Sequence, residues 1–252
     1  MTITYIRNAT FKIKYGGSTL LVDPMLCEAR SIDPFIPGLE KNPIDELPFS
    51  VQEILGEVEA VLVTHTHPDH FDSVATKSID KKHLIICPTE DEAYYLNKGF
   101  RNLLAIENTT NWNDIAFTRI EGQHGSGPVL KYMGMVSGFV LKTKNEPTVF
   151  IVSDSILTDE VKSAIEKHQP EIIIINPGGG IIPGFESTTV HMDEKQVLEM
   201  FRISPESKVI AMHLDSIDFC TVTRKSLKDF AIDNDISEEQ LIIPDNGNTV
   251  EF

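Results

Sequence analysis

The chain has 252 residues, of which 41% are hydrophobic, so it is long and apolar enough to bury a sizeable core. Its 38 Asp and Glu residues outnumber 22 Lys and Arg residues, and the net charge of −16 disfavours general binding to nucleic acid because like charges repel. No apolar run is long enough to cross a membrane, the N-terminus lacks the pattern of a signal peptide, and the three cysteines form no CxxC pair. We therefore expect a cytoplasmic protein with reduced thiols.

The first quarter of the chain combines short apolar strands with a long irregular segment. Alternating apolar and polar residues from Thr2 to Tyr15 predict one or two strands of an antiparallel pair. Leu20–Val22 is a predicted buried strand that runs into Asp23. This aspartate is either a turn residue before proline or a carboxylate that orients a histidine ligand. Residues 25–50 contain four prolines and predict a long loop, a kind of segment that often lines a site.

The stretch from Thr64 to His70 follows a predicted apolar strand, Val58–Val63, and holds three histidines and an aspartate. Side chains two residues apart in an extended segment point the same way, so the first two histidines can reach one metal ion. The proline that follows them favours a turn, which directs the last two groups toward a second position nearby. Imidazole and carboxylate groups suit zinc and its neighbours in the transition series. The candidate ligands in this stretch are His65, His67, Asp69 and His70.

Further candidate ligands stand at or just beyond the ends of predicted strands, which is where a rigid site can form along one edge of a sheet. Predicted strands cover residues 84–87, 103–106, 115–120, 136–141, 148–152, 172–175 and 209–212, with a last strand near the C-terminus. Predicted helices cover residues 51–55, 89–97, 159–167, 193–201 and 224–232. The candidates at strand ends are His124, Asp154 and His213. With the four residues above, they supply about the number of donors that two metal ions need, and none is a thiolate.

His191 and Lys131 are further candidate members of the site. His191 precedes a predicted helix and is either a buried or capping histidine or a pocket residue that donates a proton or contacts substrate. Its position beside Thr188 and Thr189 favours the second alternative slightly, so we predict it as a catalytic and substrate-binding residue. Lys131, on the segment after His124, is a candidate extra cation near the metal ions.

The H-x-H-x-D-H motif, followed in order by His124, Asp154 and His213, resembles the metallo-β-lactamase superfamily. Within it, the chain is most similar to the branch that contains ascorbate-phosphate lactonase and other metal-dependent hydrolases. The resemblance spans nearly the whole chain and implies one α/β domain over residues 1–252, an αββα sandwich of two mixed sheets with helices outside. It also implies the ligand sets: His65, His67 and His124 for a first metal ion, Asp69, His70 and His213 for a second, and Asp154 as the bridge.

The same resemblance implies a hydrolase with two divalent metal ions. Zinc is the preferred metal for both positions, and manganese is the alternative. Two cations about 4 Å apart lower the pKa of a shared water, and the bridging hydroxide would attack a small ester-like substrate while Asp69 aims it as a catalytic group. Such substrates include a lactone, a phosphorylated sugar-acid lactone or a phosphodiester. We expect a small-molecule substrate and no nucleic-acid or membrane partner. The sequence leaves open whether the chain forms a homo-oligomer. The alternatives are a metal-binding or sensing protein with little turnover and a nuclease-type phosphodiesterase.

Overall fold

A computed structural model describes residues 1–252 and contains fourteen strands and seven α-helices. The strands are β1 (Thr2–Arg7), β2 (Thr10–Tyr15), β3 (Ser18–Val22), β4 (Ala60–Leu62), β5 (Leu84–Pro88), β6 (Asn102–Ile106), β7 (Thr109–Trp112), β8 (Ile115–Gln123), β9 (Met135–Lys142), β10 (Val149–Ser153), β11 (Ile172–Ile175), β12 (Lys208–Ala211), β13 (Leu241–Ile242) and β14 (Thr249–Glu251). The helices are α1 (Val51–Leu55), α2 (Ser73–Ser78), α3 (Glu92–Asn97), α4 (Leu130–Met133), α5 (Asp159–His168), α6 (Glu194–Ile203) and α7 (Arg224–Asp233).

The strands form two seven-stranded sheets that follow one plan. The first has the order β14-β1-β2-β3-β4-β5-β6 and the second the order β13-β12-β11-β10-β9-β8-β7. In the first sheet β1 to β3 pair antiparallel, and β3 to β6 pair parallel. In the second sheet β7 to β10 pair antiparallel, and β10 to β13 pair parallel. Both sheets are therefore mixed, as the sequence predicts.

The alternation of side chains along each strand explains how the two sheets pack. Strand β11 is four isoleucines in a row, and all four are buried. Ile172 and Ile174 point into the core between the sheets, whereas Ile173 and Ile175 join a second core under α5, α6 and α7. Helices α1 to α3 cover a third core on the outer face of the first sheet. The predicted αββα sandwich is confirmed, because each sheet is buried on both faces.

Most predicted elements are present, and the exceptions are short. The pattern from residue 2 to 15 forms the antiparallel pair β1 and β2, with a two-residue break at Asn8. Strand β7 and helix α4 were not predicted, and helix α2 lies in a segment that the sequence left open between a polar helix and a loop. The C-terminal strand is two strands, β13 and β14. Strand β14 pairs with β1, so it joins the ends of the chain. None of the helices is both long and apolar enough to cross a membrane.

The predicted loop over residues 25–50 is present and is tied to the core by a buried arginine. Apart from one bridge between Ile32 and Asn42, it contains no strand or helix. The fully buried guanidinium group of Arg7 donates hydrogen bonds to the backbone carbonyls of Met25, Cys27 and Asp45. Because these bonds satisfy most of its donors away from water, they hold the path of an otherwise irregular segment.

Candidate metal centre

All seven predicted ligands meet at one end of the sandwich. His65 and His67 follow β4, Asp154 follows β10 and His213 follows β12. Strand β8, which precedes His124, runs in the same direction as β10 because both pair antiparallel with β9. The carboxyl ends of these strands therefore reach the same edge, where α/β folds commonly build their sites. Six of the seven side chains are buried, and only His67 is partly exposed.

The first group of potential ligands consists of three histidines. The ligand nitrogens of His65, His67 and His124 all lie within 4.8 Å of one another. The rings of His65 and His67 are close, with centroids 4.5 Å apart, which fits two alternate residues of one extended segment. The long-range contact with His124 could not be read from the spacing of the motif. The structure thus assembles the set that the resemblance assigns to the first metal ion.

The second group contains two carboxylates and two histidines, and it shares Asp154 with the first. Its ligand atoms, from Asp69, His70, Asp154 and His213, also lie within 4.8 Å of one another. The Oδ2 atom of Asp154 is 3.0 Å from Nε2 of His70, 3.7 Å from Nε2 of His213, 3.5 Å from Nε2 of His124 and 3.9 Å from Nε2 of His65. This oxygen lies between the two groups, which is the position that a bridging carboxylate needs.

The donor set fits divalent metal ions, and one unpaired atom supports this fit. Nε2 of His65 is buried but has no hydrogen-bond partner. An unpaired buried polar atom costs roughly 1–3 kcal/mol, so such atoms are rare unless they serve a ligand. Nitrogen and oxygen donors without a thiolate suit zinc or manganese. The observed cluster can therefore hold a metal ion at each group.

Hydrogen bonds to Nδ1 fix which nitrogen of His70 and His65 faces the cluster. Nδ1 of His70 donates to Asp23 Oδ2 at 2.9 Å. The Thr64 hydroxyl also donates to Asp23, so its oxygen can accept from Ser153 and from Nδ1 of His65, at 2.7 and 3.1 Å. When neutral, both histidines then carry the free lone pair on Nε2. Of the two alternatives for Asp23, the carboxylate that orients a histidine is the one observed.

Two asparagines that the sequence did not single out as site residues position the other ligands. Asn176, at the end of β11, donates to Oδ1 of Asp154 at 2.7 Å and leaves Oδ2 facing the histidines. Asn8 lies in the turn between β1 and β2. Its side-chain amide donates to the backbone carbonyl of Asp69, and its backbone carbonyl accepts from the backbone N–H of His213. The strand-end pattern that found Asp154 applies equally to Asn176. Nothing comparable marks Asn8 except its place in a turn.

His191 and Cys220 lie against the cluster. His191 is fully buried, with Nε2 3.2 Å from Asp154 Oδ2 and its ring stacked on Phe219. Sulfur Sγ of Cys220 is 3.9 Å from Nδ1 of His191 and 3.7 Å from Nδ1 of His213. The sulfur thus faces the side of His213 opposite to Asp69 and Asp154 and can accept hydrogen bonds from both rings. Cys220 is a free cysteine, as expected, but the sequence did not mark it as a neighbour of the site.

The buried charges divide the histidines into two classes. Burial lowers the pKa of His124 to about 3 and also lowers the pKa of His65, so both are neutral. Burial also opposes the charge on His70 and His191, but attraction to neighbouring anionic groups, Asp154 first, outweighs it and raises their pKa values to about 10 and about 9. The pKa of His213 is raised in the same way. Without metal ions, these three histidines are cations that neutralise the carboxylates.

A cavity of about 230 Å³ opens beside the cluster. His67, Asp69 and His124 lie at its base. Its walls are apolar and come from four separate segments: Phe35, Ile36, Tyr132, Met133, Ile182 and Phe219. No lysine or arginine lines it, and Lys131, the predicted extra cation, is therefore not among the lining residues. The Lys131 ammonium group instead lies over the ring of Tyr132, 4.6 Å from its centroid.

Comparison with known families assigns most of the chain, including the cluster of predicted ligands, to one family. Residues 19–214 match the family described as the β-lactamase superfamily domain, a range that includes every predicted ligand. The UPF0173 protein YddR of Bacillus subtilis is 33% identical over 257 residues and is matched over 100% of both chains. A UPF0173 metal-dependent hydrolase of Koribacter versatilis is 25% identical over 247 residues, or 94% of each chain.

Two solved structures are similar over the entire chain. A possible metal-dependent hydrolase from Veillonella parvula is 33% identical with a TM-score of 0.95, over 100% of this chain and 99% of that one. An isothiocyanate hydrolase from Delia radicum gut bacteria is 30% identical with a TM-score of 0.94, over the same shares. The fold and the order of strands are therefore shared with hydrolases.

We expect metal-free protein to bind two zinc ions at pH 7 and to release as many as three protons on doing so. His70, His191 and His213 have raised pKa values without metal, so they are protonated at this pH. A histidine must be neutral to bind metal, and nearby cations would also expel a proton from His191. Titration calorimetry in buffers of different ionisation enthalpy measures both numbers. Binding of zinc without proton release would contradict this charge assignment, and absence of binding would contradict the metal centre.

Proposed function

Because the chain belongs to the β-lactamase superfamily and is a metal-dependent hydrolase of that fold, we propose that it uses two divalent metal ions to hydrolyse a small electrophilic substrate. Zinc is the first candidate and manganese the second. The observation that supports this proposal is the pair of ligand groups that share Asp154 Oδ2. A single-metal site would not need the second carboxylate and two further histidines beside it.

Metal ions held by these groups would activate water and polarise the bond that is attacked. The side chains of the site hold and orient what the metal ions act on. Asp69 lies both in the second ligand group and at the base of the cavity, so it can reach substrate and water. Burial raises the pKa of this carboxyl, but His70 and His213 outweigh the effect and hold it below its usual range. It is therefore a carboxylate that can accept a hydrogen bond from the attacking water.

His191 is proposed to act through Asp154. It contacts the bridging carboxylate but is absent from the lining of the cavity, so a direct contact with substrate is less well supported than a positioning role. Its stacking on Phe219 and its proximity to Cys220 fix the ring on its other sides. With Nδ1 toward the sulfur, Nε2 is directed at the carboxylate that both ligand groups share.

The substrate proposal starts from two chemically related candidates. A lactone carbonyl carbon and the central carbon of an isothiocyanate are both electrophiles that water attacks. The first follows from the resemblance to lactonases, and the second from the similar structure of an isothiocyanate hydrolase. For an isothiocyanate, water adds across the carbon–nitrogen double bond, and the resulting thiocarbamic acid breaks down to an amine and carbonyl sulfide. The acidic surface disfavours the nuclease alternative, since a polynucleotide gains affinity from cationic contacts.

We expect zinc- or manganese-loaded protein to hydrolyse an aryl-alkyl isothiocyanate or a small lactone faster than bis-p-nitrophenyl phosphate or structured RNA. Initial rates on this panel, with chelator-treated protein as the control, measure the preference. Salt-sensitive cleavage of RNA without small-molecule turnover would overturn the substrate proposal. If loaded protein turns over no member of a broader panel of esters, lactones and isothiocyanates, a metal-binding or sensing role is favoured instead.

The variant Asp69→Asn should lower kcat by roughly 10²-fold or more, because an amide cannot accept a proton as a carboxylate does. Metal content, measured by elemental analysis, separates a lost ligand from a lost catalytic group. Asp80→Asn, at an exposed turn remote from the cluster, is the matched control and should be unchanged. Turnover equal to wild type in folded Asp69→Asn would remove Asp69 from the mechanism.

The variant His191→Ala should lower turnover by about tenfold or more while two metal ions remain bound, because it releases Asp154 without removing a predicted ligand. The pH profile of kcat should shift as well, which a purely structural role would not produce. His83→Ala, at a partly buried position outside the cluster, is the control. Loss of one metal ion would show that His191 is itself a ligand, and unchanged activity would show that it is a bystander.

A further inference from the structure

We propose that three side chains at the mouth of the cavity, Phe35, Ile36 and Phe219, bind an apolar group of an uncharged substrate, and that Asp218 holds them in place. We refer to these three side chains as the apolar wall. The inference rests on the proposed hydrolase function and adds the chemical class of the substrate and the residues that select it. It applies to a lactone and to an isothiocyanate alike, since it concerns the group attached to the reacting carbon.

The apolar wall stands directly over the predicted metal ligands. The rings of Phe35 and Phe219 are 6.0 Å apart and inclined at 54°, and both line the cavity whose base is formed by His67 and Asp69. A substrate whose reacting carbon lies at this base can place its attached group against these two rings. Burying an aliphatic or aromatic group there removes apolar surface from water on both sides, and ring pairs add their own attraction.

The charges around the cavity exclude an anionic group at the wall. No lysine or arginine lines it, and Lys131 is exposed with its ammonium group over Tyr132. A phosphate or carboxylate placed against the rings would lose part of its hydration without gaining a counter-ion, which is costly. Asp69 at the base adds negative charge. Only the reacting end of the substrate would meet positive charge, so the attached group is expected to be neutral.

Asp218 connects the two segments that make the wall. Its Oδ2 accepts a hydrogen bond from the backbone N–H of Ile36 at 3.0 Å, and its Oδ1 accepts one from Nδ2 of Asn42 at 3.0 Å. The backbone N–H of Asp218 donates to Oδ1 of Asn42 at 2.9 Å. Residues 25–50 lack regular structure apart from one bridge, so these bonds contribute to where Phe35 and Ile36 lie relative to Phe219. Asp218 is thus a positioning residue for substrate selection.

The test uses hydroxamic acids, which share one metal-binding head and differ in the attached group. Zinc-loaded protein is titrated by calorimetry with acetohydroxamic acid, 3-phenylpropanohydroxamic acid and succinohydroxamic acid. We expect the phenyl compound to bind at least about tenfold more tightly than the acetyl compound, and the anionic succinyl compound to bind no more tightly than the acetyl one. The two compounds bind metal through the same hydroxamate group. The ratio of their affinities therefore measures the contribution of the attached group at the apolar wall.

Variants at the apolar wall should reduce this ratio without changing the affinity for the hydroxamate group itself. In Phe35→Ala and in Asp218→Ala we expect the ratio to fall below about threefold, with acetohydroxamate affinity and zinc content unchanged. Phe219 is less suitable because it also stacks on His191. Leu96→Ala, an exposed apolar side chain on α3, is the matched control and should keep the wild-type ratio. Tyr132→Ala, at a largely exposed cavity residue outside both the apolar wall and residues 25–50, should lower the ratio less than Phe35→Ala does.

Two results would overturn the inference while the proposed function stands: equal affinity for the acetyl and phenyl compounds, or preference for the succinyl compound. A ratio that survives in both Phe35→Ala and Asp218→Ala would also overturn it. If the protein takes up no zinc, the metal centre is refuted and the inference falls with the proposed function. If zinc-loaded protein binds none of the three hydroxamates, the cavity does not lead to the metal ions and the inference is overturned. Activity on neutral and carboxylated esters of the same length gives a second readout, in which the variants should raise KM more than they lower kcat.

Discussion

The contact on which the site depends is the meeting of several imidazole nitrogens at one buried carboxylate oxygen, Asp154 Oδ2. A carboxylate removed from water is costly unless it is paired and hydrogen-bonded. Asn176 pairs with the other oxygen, and His70 and His191 contact Oδ2 at 3.0 and 3.2 Å. Without metal ions, the protons on these histidines supply the compensating charge. With metal ions bound, the same charge comes from the cations, so the buried geometry can be kept when the protons leave.

This arrangement requires both sheets at once, which explains why the site sits at their common edge. Thr64 and Asp23 follow strands of the first sheet, whereas Ser153 ends a strand of the second and Asp154 follows it. The hydroxyl of Ser153 donates to Thr64, and Thr64 donates to Asp23, so a chain of hydrogen bonds crosses the sandwich behind the ligands. Asn8 makes a similar link, from the first sheet to the backbone of His213. Ligand positions are thereby fixed by the packing that also forms the core.

The sequence predicted the parts of this site that local spacing determines. Alternation within Thr64–His70 indicates which side chains share a face, and apolar strands followed by His124, Asp154 or His213 indicate which residues reach the edge. Asn8 and Cys220 could not be found this way, because their importance arises only when turns distant in sequence pack against the ligands. Phe35 lies in a proline-rich loop without periodicity, so its orientation depends on Asp218, more than 180 residues later. Local sequence patterns carry no information about contacts between residues so far apart in the chain.

The metal ligands and the residues of the apolar wall are under different physical constraints. The residues proposed for catalysis are therefore distinct from those proposed to select the substrate. The ligands and their hydrogen-bond partners are buried polar groups, for which a change leaves an unpaired charge or donor and costs several kcal/mol. The apolar wall is partly exposed and is held mainly by side-chain packing and by Asp218, so its residues can change with less effect on folding. The two proposals thus assign hydrolysis to the metal centre, and the choice of substrate to the loop over residues 25–50 and the segment around Phe219.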